Sequence, residues 1–307
     1  MAAPLGNVTD FRLGRWHTPR TVDAERLIDD VRRYYDRNTA RFERHGESGA
    51  SIHRAVWAPG VETRQDATRF VDDLILEDLR EFGGTPTVLD LGCGVGQSLL
   101  YLASRLDLSG EGITISPVQA ARATERLTPA QIRRIRFREA NFLSLPRDIQ
   151  SVDLAFSIEA FVHSPDVLAY FSEAARVLRP GGRLIVCDDF LTQRGAIEAS
   201  NSELALLEEF RRGWRIGSLV TTATACEAAQ TVGLRSTKVS NLTPFLELGR
   251  PRDRLIRLLA AAGKRLPISG EYWNALVGGN ALQLLLERGV VSYCILTFER
   301  ASASLGG

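Results

Sequence analysis

Apolar positions along the chain change their spacing twice, and the changes divide it. From Val22 to Glu43, Leu27, Ile28, Val31, Tyr34, Tyr35 and Phe42 fall mainly on one face of a helix. A glycine-containing loop, HGESGASIHRAVWAPG, follows, and Thr63 to Phe82 again has the spacing of an amphipathic helix. Beyond it, short apolar runs alternate with helical patterns. Strands are predicted at Thr87 to Leu91, Gly110 to Ile115, Ile135 to Glu139, Ser151 to Ile158 and Arg183 to Asp188. Helices are predicted at Gln97 to Leu106, Pro117 to Arg126 and Ser164 to Leu178.

Strands that alternate with helices in this way form parallel βαβ units, whose sheet must be covered by helices on both faces. The prediction is an α/β fold, a Rossmann-like, doubly wound, mostly parallel seven-stranded sheet beginning near residue 85. After Asp189 the pattern is helical to about Ala229, then a strand at Ser236 to Leu242, helices at about Asp253 to Leu266 and Ser269 to Arg288, and a closing strand at Val290 to Phe298. The domain reading is an N-terminal arm and helical cap over 1–82 and a core over 83–307, with helical insertions at about 190–230 and 250–288. Residues 1 to about 20 show no periodicity and read as the arm. No internal repeat or low-complexity tract is present.

Composition narrows the function. A formal net charge of +1 with scattered basic residues leaves no stripe to neutralise phosphates, which excludes a nucleic-acid binder. The four cysteines, Cys93, Cys187, Cys226 and Cys294, stand far apart without a CxxC pair, so neither a zinc site nor a disulfide framework is expected. No apolar run reaches the roughly 18 residues of a membrane span, and the N-terminus is too polar for a signal peptide. These features predict a cytoplasmic protein.

The chemistry concentrates at strand ends. Asp90-Leu91-Gly92-Cys93-Gly94-Val95-Gly96-Gln97 lies between the first core strand and a helix, at the edge where doubly wound sheets bind small molecules. Its spacing is GxGxG behind an acid rather than the GxGxxG of a dinucleotide site, and an acid beside the turn suits a cationic amino-acid ligand better than a pyrophosphate.

VLDLGCGVG resembles the first motif of class I S-adenosylmethionine-dependent methyltransferases. The resemblance implies that Gly92, Gly94 and Gly96 face the methionine and ribose of S-adenosylmethionine, with Asp90 near its amino group, and that Asn141-Phe142 meets the adenine. Asn141 departs from the Asp common at that position but keeps its hydrogen-bonding capacity. RVLRPGGRLIV resembles the turn before the fifth strand and is read as architecture. The second strand departs further: Thr114 stands where an acid usually holds the ribose hydroxyls. The segment Gly112 to Gln119, GxTxSxxQ, resembles the branch of sterol C-methyltransferases, prenyl diphosphate C-methyltransferases and cyclopropane fatty acid synthases, in which Thr and Gln, here Thr114 and Gln119, serve the ribose. IEAFVHSP at 158–165 and YYDRNT at 34–39 resemble the same branch, so the likeness covers roughly Val31 to Val186.

That resemblance implies methylation of a carbon–carbon double bond. The resulting carbocation must be shielded from water and then lose a proton, which calls for aromatic walls and one base. Tyr34, Tyr35, Trp57, Phe161, Trp214 and Trp273 are the candidate aromatics, with Tyr35, Phe161 and Trp214 preferred. Glu159 is the expected base, and His163 could assist it. Asn38, His53, Arg54 and Arg64 are the candidates for holding a charged head, and the basic character of this stretch favours a diphosphate, with magnesium as its counter-ion. The expected reaction is therefore C-methylation of geranyl or another short prenyl diphosphate, an isoprenoid small molecule. The alternatives are a sterol or other terpenoid C-methyltransferase, a small-molecule O- or N-methyltransferase, and a non-catalytic binding protein of the same fold. A homo-oligomer is left open.

Overall fold

The computed structural model describes residues 21–45, 53–263 and 270–302. The expected arm at 1 to about 20 and part of the glycine-containing loop lie outside them. A single sheet carries strands β1 (Thr87–Leu91), β2 (Ser109–Thr114), β3 (Ile135–Glu139), β4 (Val152–Ile158), β5 (Leu178–Leu191), β6 (Leu234–Asn241) and β7 (Val291–Arg300). Their order is β3-β2-β1-β4-β5-β7-β6. Neighbours are parallel from β3 through β5, and β7 runs antiparallel to both β5 and β6.

Helices α1 (Thr21–His45) and α2 (Arg64–Arg80) precede the sheet; α3 (Gln97–Arg105), α4 (Pro117–Glu125) and α5 (Val167–Val177) are its crossovers. Then come α6 (Gln193–Glu198), α7 (Asn201–Trp214), α8 (Thr222–Thr231), α9 (Pro251–Gly263) and α10 (Glu271–Glu287). The core has two halves, one on each side of the sheet. One gathers Leu99, Leu102, Phe137, Phe156 and Ile185 with the buried faces of α2, α7 and α10. The other gathers Leu89, Ile113, Tyr170, Phe171, Leu184 and Phe298 with α5 and α8. Strands buried on both sides show as apolar runs rather than as alternation, which is why they were visible in the sequence.

Two boundaries differ from expectation for identifiable reasons. The helix expected from Ser164 begins at Val167, because the Asp166 side chain accepts the Ala169 N–H and so forms the cap. Strand β5 is much longer than Arg183 to Asp188. The expected Gly181-Gly182 turn lies inside it, where the pairing with β4 jumps from Val152↔Leu178 to Leu154↔Arg183. Its far end is prolonged by antiparallel pairing with β7 through Leu191↔Val291.

Close approach of α7 and α10 sets one wall of the molecule. A Cβ on Gly213 would stand 2.7 Å from the Gly278 Cα, and one on Gly278 would stand 2.8 Å from the Trp214 ring. The helices can touch there only because neither residue has a side chain. Gly213→Ala is therefore expected to lower stability by about 1–3 kcal/mol through overpacking. Urea unfolding should show a lower midpoint with an unchanged m-value.

Candidate active site

The carboxyl ends of β1, β2 and β4, with the loop after β3 and the far part of β5, surround a cavity of about 670 Å3 that α1, α7, α9 and α10 enclose. The glycine turn forms its floor. Gly92 and Gly94 adopt φ of +93° and +52°, which a side chain would strain. A Cβ on Gly92 would collide with Ala160, and one on Gly94 would point into the cavity with only the Gln119 amide nitrogen near it, at 3.9 Å. Gly96 does not line the cavity; a Cβ there would meet the Phe137 ring at 2.5 Å, so its role is packing. Asp90 is also below the floor, buried, and not part of the lining. Burial and the neighbouring Asp72 push its carboxyl well above the usual range.

Thr114, Gln119, Asn141 and Phe142 all line the cavity. The Thr114 hydroxyl donates to the Gln119 side-chain oxygen at 2.8 Å and accepts the Ser116 N–H at 3.2 Å. With both functions used, it positions Gln119, whose amide hydrogens remain to be donated. The Asn141 side-chain oxygen accepts the Leu143 N–H at 2.9 Å, fixing the loop after β3. Open backbone at Gly94, an oriented amide and an aromatic neighbour fit a nucleoside bearing an amino-acid tail. Gly92, Gly94, Thr114, Gln119, Asn141 and Phe142 are the residues that would hold it.

Helix α1 lies over the opposite side. Its Tyr34, Tyr35 and Asn38 line the cavity. Two hydrogen bonds tie the helix to the core: Tyr35 Oη to His163 Nε2 at 2.9 Å, and the Ser116 hydroxyl, donating to Asp36 at 2.5 Å. His163 sits in a short 3-10 turn (Phe161–His163), and its Nδ1 is 3.2 Å from the Arg215 carbonyl. A carbonyl only accepts, so Nδ1 carries the proton and Nε2 receives the Tyr35 O–H. Burial lowers the His163 pKa and keeps the ring neutral.

Glu159 has φ of +54°, a left-handed conformation unusual for a residue with a side chain. Its backbone N–H continues the β4–β5 ladder to the Cys187 carbonyl at 2.8 Å. Its carboxylate Oε1 accepts the Arg54 backbone N–H and the Tyr293 hydroxyl, both at 3.0 Å. The Arg54 guanidinium makes a bidentate pair with Asp189 at 2.6 and 2.7 Å and lies over the Tyr293 ring, 4.6 Å from its centre. Burial opposes the charge on Arg54, and the Asp189 carboxylate overcomes it, holding the guanidinium pKa well above its usual value. Asp188 receives the Asp189 and Val162 N–H groups; burial and Asp189 push its carboxyl well above the usual range, toward the neutral form.

The expected substrate residues separate. Tyr34, Tyr35, Asn38, His53, Arg54 and Trp214 reach the cavity; Trp57, Phe161, Arg64 and Trp273 do not line it. Phe161 is instead buried in the core, packed on Tyr170, Phe171 and Phe190. Trp57 is half-buried on the segment whose backbone pairs with Phe245. Of the four residues expected to hold a diphosphate, Asn38, His53 and Arg54 line the cavity and Arg64 does not; Arg64 pairs with Glu247, His53 with Ser98, the Asn38 amide with the Tyr34 carbonyl, and Arg54 with Asp189. Among the described residues no group of three or more His, Cys, Asp and Glu is placed to hold a metal ion. Sequence reasoning missed Asp188, Asp189 and Tyr293. The adjacent acids in the apolar run IVCDDF were a signal, since buried carboxylates need partners; Tyr293 carried none.

The strand order and the glycine turn at the tip of β1 are those of the Rossmann-like class I methyltransferase fold. Residues 89–186 match the family described as methyltransferase domain. The chain is 35% identical over 144 residues to the 27-O-demethylrifamycin SV methyltransferase of Amycolatopsis mediterranei, covering 47% of this chain and 53% of that protein. It is 30% identical over 226 residues to 24-methylenesterol C-methyltransferase 2 of Arabidopsis thaliana, covering 73% and 61%. The chain thus spans between about half and three fifths of the length of these relatives. A geranyl diphosphate methyltransferase solved with geranyl diphosphate and sinefungin shares the fold, with a TM-score of 0.67 and 20% identity over 90% of this chain and 98% of that one.

The His163 geometry has a consequence for stability. Burial depresses its pKa below the ordinary 6.5, so the unfolded chain binds the proton that the folded one refuses. Its contribution is present above about pH 6.5 and lost as the pH falls through the folded pKa. Urea unfolding between pH 7.5 and 5.5 should show stability declining toward acid, with a shallower decline in His163→Gln.

Proposed function

We propose that this chain transfers the methyl group of S-adenosylmethionine to a carbon–carbon double bond of an uncharged, apolar isoprenoid, a sterol or another terpenoid, with Glu159 as the proton acceptor. One observation carries the reading: of the cavity-lining arginines among the described residues, Arg54, Arg250 and Arg252, the one beside Glu159 is engaged in a bidentate pair with Asp189, so that the Glu159 carboxylate faces the cavity beside the aromatic rings of Tyr34, Tyr35 and Trp214.

Charge separates the candidate acceptors. A carboxylate about 5 Å from a unit charge, at an effective dielectric constant of about 20, contributes roughly 3 kcal/mol. The interaction is attractive for a carbocation and repulsive for a phenolate or a diphosphate. The relative named 24-methylenesterol C-methyltransferase 2, a carbon methyltransferase of a sterol by its name, supports that preference. The prenyl diphosphate expected from the sequence, with Asn38, His53, Arg54 and Arg64 at its head, is the alternative acceptor.

When bound, S-adenosylmethionine supplies an electrophilic methyl group on a sulfonium. Tyr34, Tyr35 and Trp214 present aromatic surface to the cavity, and each such face stabilises a desolvated cation by up to about 2 kcal/mol. Methyl transfer would break the methyl–sulfur bond, whose electron pair leaves with sulfur as a neutral thioether, while the π electrons of the acceptor form the new C–C bond and leave the positive charge on the adjacent carbon. Glu159, oriented by the Arg54 N–H and the Tyr293 hydroxyl, takes the proton from a neighbouring carbon, and the C–H electrons restore the double bond. Tyr35 and His163 hold α1 closed against water during these steps.

Purified protein incubated with radiolabelled S-adenosylmethionine and separate sterol, linear terpenoid, prenyl diphosphate, phenol and amine acceptors should transfer label to carbon of an uncharged terpenoid. Preferred transfer to a diphosphate or to a heteroatom would reject the assignment. Glu159→Gln should leave cofactor affinity within a few-fold by calorimetry and reduce turnover about a hundredfold or more; unchanged turnover would remove Glu159 from the mechanism.

A further inference from the structure

Exposed large apolar side chains elsewhere among the described residues stand no more than one to an element, the ordinary condition of a protein surface. Helix α9 differs. Leu255, Leu258 and Leu259, at i, i+3 and i+4, are 57%, 69% and 50% exposed and form one outward stripe. On the helical wheel Arg252 and Arg254 stand at its two edges, both exposed, and Arg252, on the edge nearer Ile256, also lines the cavity. The inner face is committed elsewhere: Asp253 is buried and receives the Arg250 N–H, Arg257 makes a pair of hydrogen bonds to Glu287 of α10, and Ile256 lines the cavity. The helix therefore roofs the cavity with one face and presents leucines between arginines with the other. Tyr272 of α10, 58% exposed, also lines the cavity and puts an amphipathic ring at the same rim.

An outward leucine stripe edged by arginines is the surface that partitions into the headgroup boundary of an anionic bilayer, where leucines reach acyl chains and arginines meet lipid phosphates. No helix among the described residues is long and apolar enough to cross a membrane, so contact would be with one leaflet surface. We propose that the outer face of α9 docks this chain on an anionic lipid bilayer, with the cavity rim at the membrane, so that an apolar acceptor passes from lipid to the active site. The docking deepens the terpenoid reading, on which its purpose rests, but the lipid contact can be measured without acceptor or cofactor.

The full chain should co-sediment with vesicles of phosphatidylglycerol and phosphatidylcholine in equal parts, and at least tenfold less with phosphatidylcholine alone. Raising sodium chloride from about 0.05 M to about 0.5 M should weaken the binding several-fold, since screening shortens the reach of the arginines. Leu255→Glu and Leu258→Glu, whose side chains lie outside the cavity, should each reduce binding at least tenfold with an unchanged circular dichroism spectrum. Arg254→Glu should reduce it several-fold on mixed vesicles only. Absence of sedimentation of the unaltered chain, or binding indifferent to both leucine substitutions, would overturn the docking. So would a dimer by light scattering that the same leucine substitutions abolish, since that would assign the face to a second copy. If vesicles bind and no terpenoid is methylated, the acceptor assignment fails while the docking stands.

Discussion

An arginine brought across the sheet edge and locked by a buried carboxylate organises this active site. Arg54 lies on the segment between α1 and α2, yet its backbone N–H reaches Glu159 at the end of β4, its guanidinium reaches Asp189 on β5, and its flat face covers Tyr293 on β7. Tyr293 returns a second hydrogen bond to Glu159. Three strands are thus tied together through one residue. A bidentate pair of this kind is weak as a source of net stability, because both charges are desolvated. It is strong as a constraint: removing either partner leaves the other buried and unpaired. Its value here is orientation, since it holds the Glu159 carboxylate in place.

The rest of the enclosure is built by close contacts far from the glycine motif. Helix α1 is held over the cavity by Tyr35 on His163 and by Asp36 under the Ser116 hydroxyl. On the other flank, Gly213 and Gly278 let α7 and α10 approach until Trp214 is fixed with its indole N–H on the Ala275 carbonyl at 3.1 Å. The sheet supplies the floor of the cavity, and these helices supply its walls.

Legibility followed the range of the interactions. β3, an edge strand with alternating burial, occupies the predicted Ile135–Glu139, and the other strands begin or end within a few residues of expectation; β1, β4 and β7 are covered on both faces and announce themselves locally as apolar runs. β5 overran its expected ends because pairing with β7, more than a hundred residues later, prolongs it. Gly92, Gly94, Glu159 and His163 were visible as motifs and do line the cavity, while Asp90 and Gly96 belong to the same motif and sit beneath it. Phe161 was misplaced because a residue just past a strand end can face either the crevice or the core, and packing on Tyr170 and Phe190 decided for the core. Arg54 lines the cavity as expected, but its pairing with Asp189, 135 positions away, follows from no local pattern.

Charge along the cavity then connects its two ends. At the inner end the arginine is neutralised and a carboxylate remains, which suits a reaction that creates a cation and penalises an acceptor that arrives as an anion. At the outer end Arg250 is engaged by Asp253 and Glu247, Arg252 lines the cavity at its α9 rim, and Arg254 stands exposed beside the leucines. The exposed positive charge of α9 thus lies at the rim. An enzyme for a water-soluble phosphate ester would be expected to distribute its arginines the other way, inward to bind the ester. A neutral, sparingly soluble acceptor reverses the requirement: the interior needs no counter-charge for it, and the outside must find the phase in which it is dissolved.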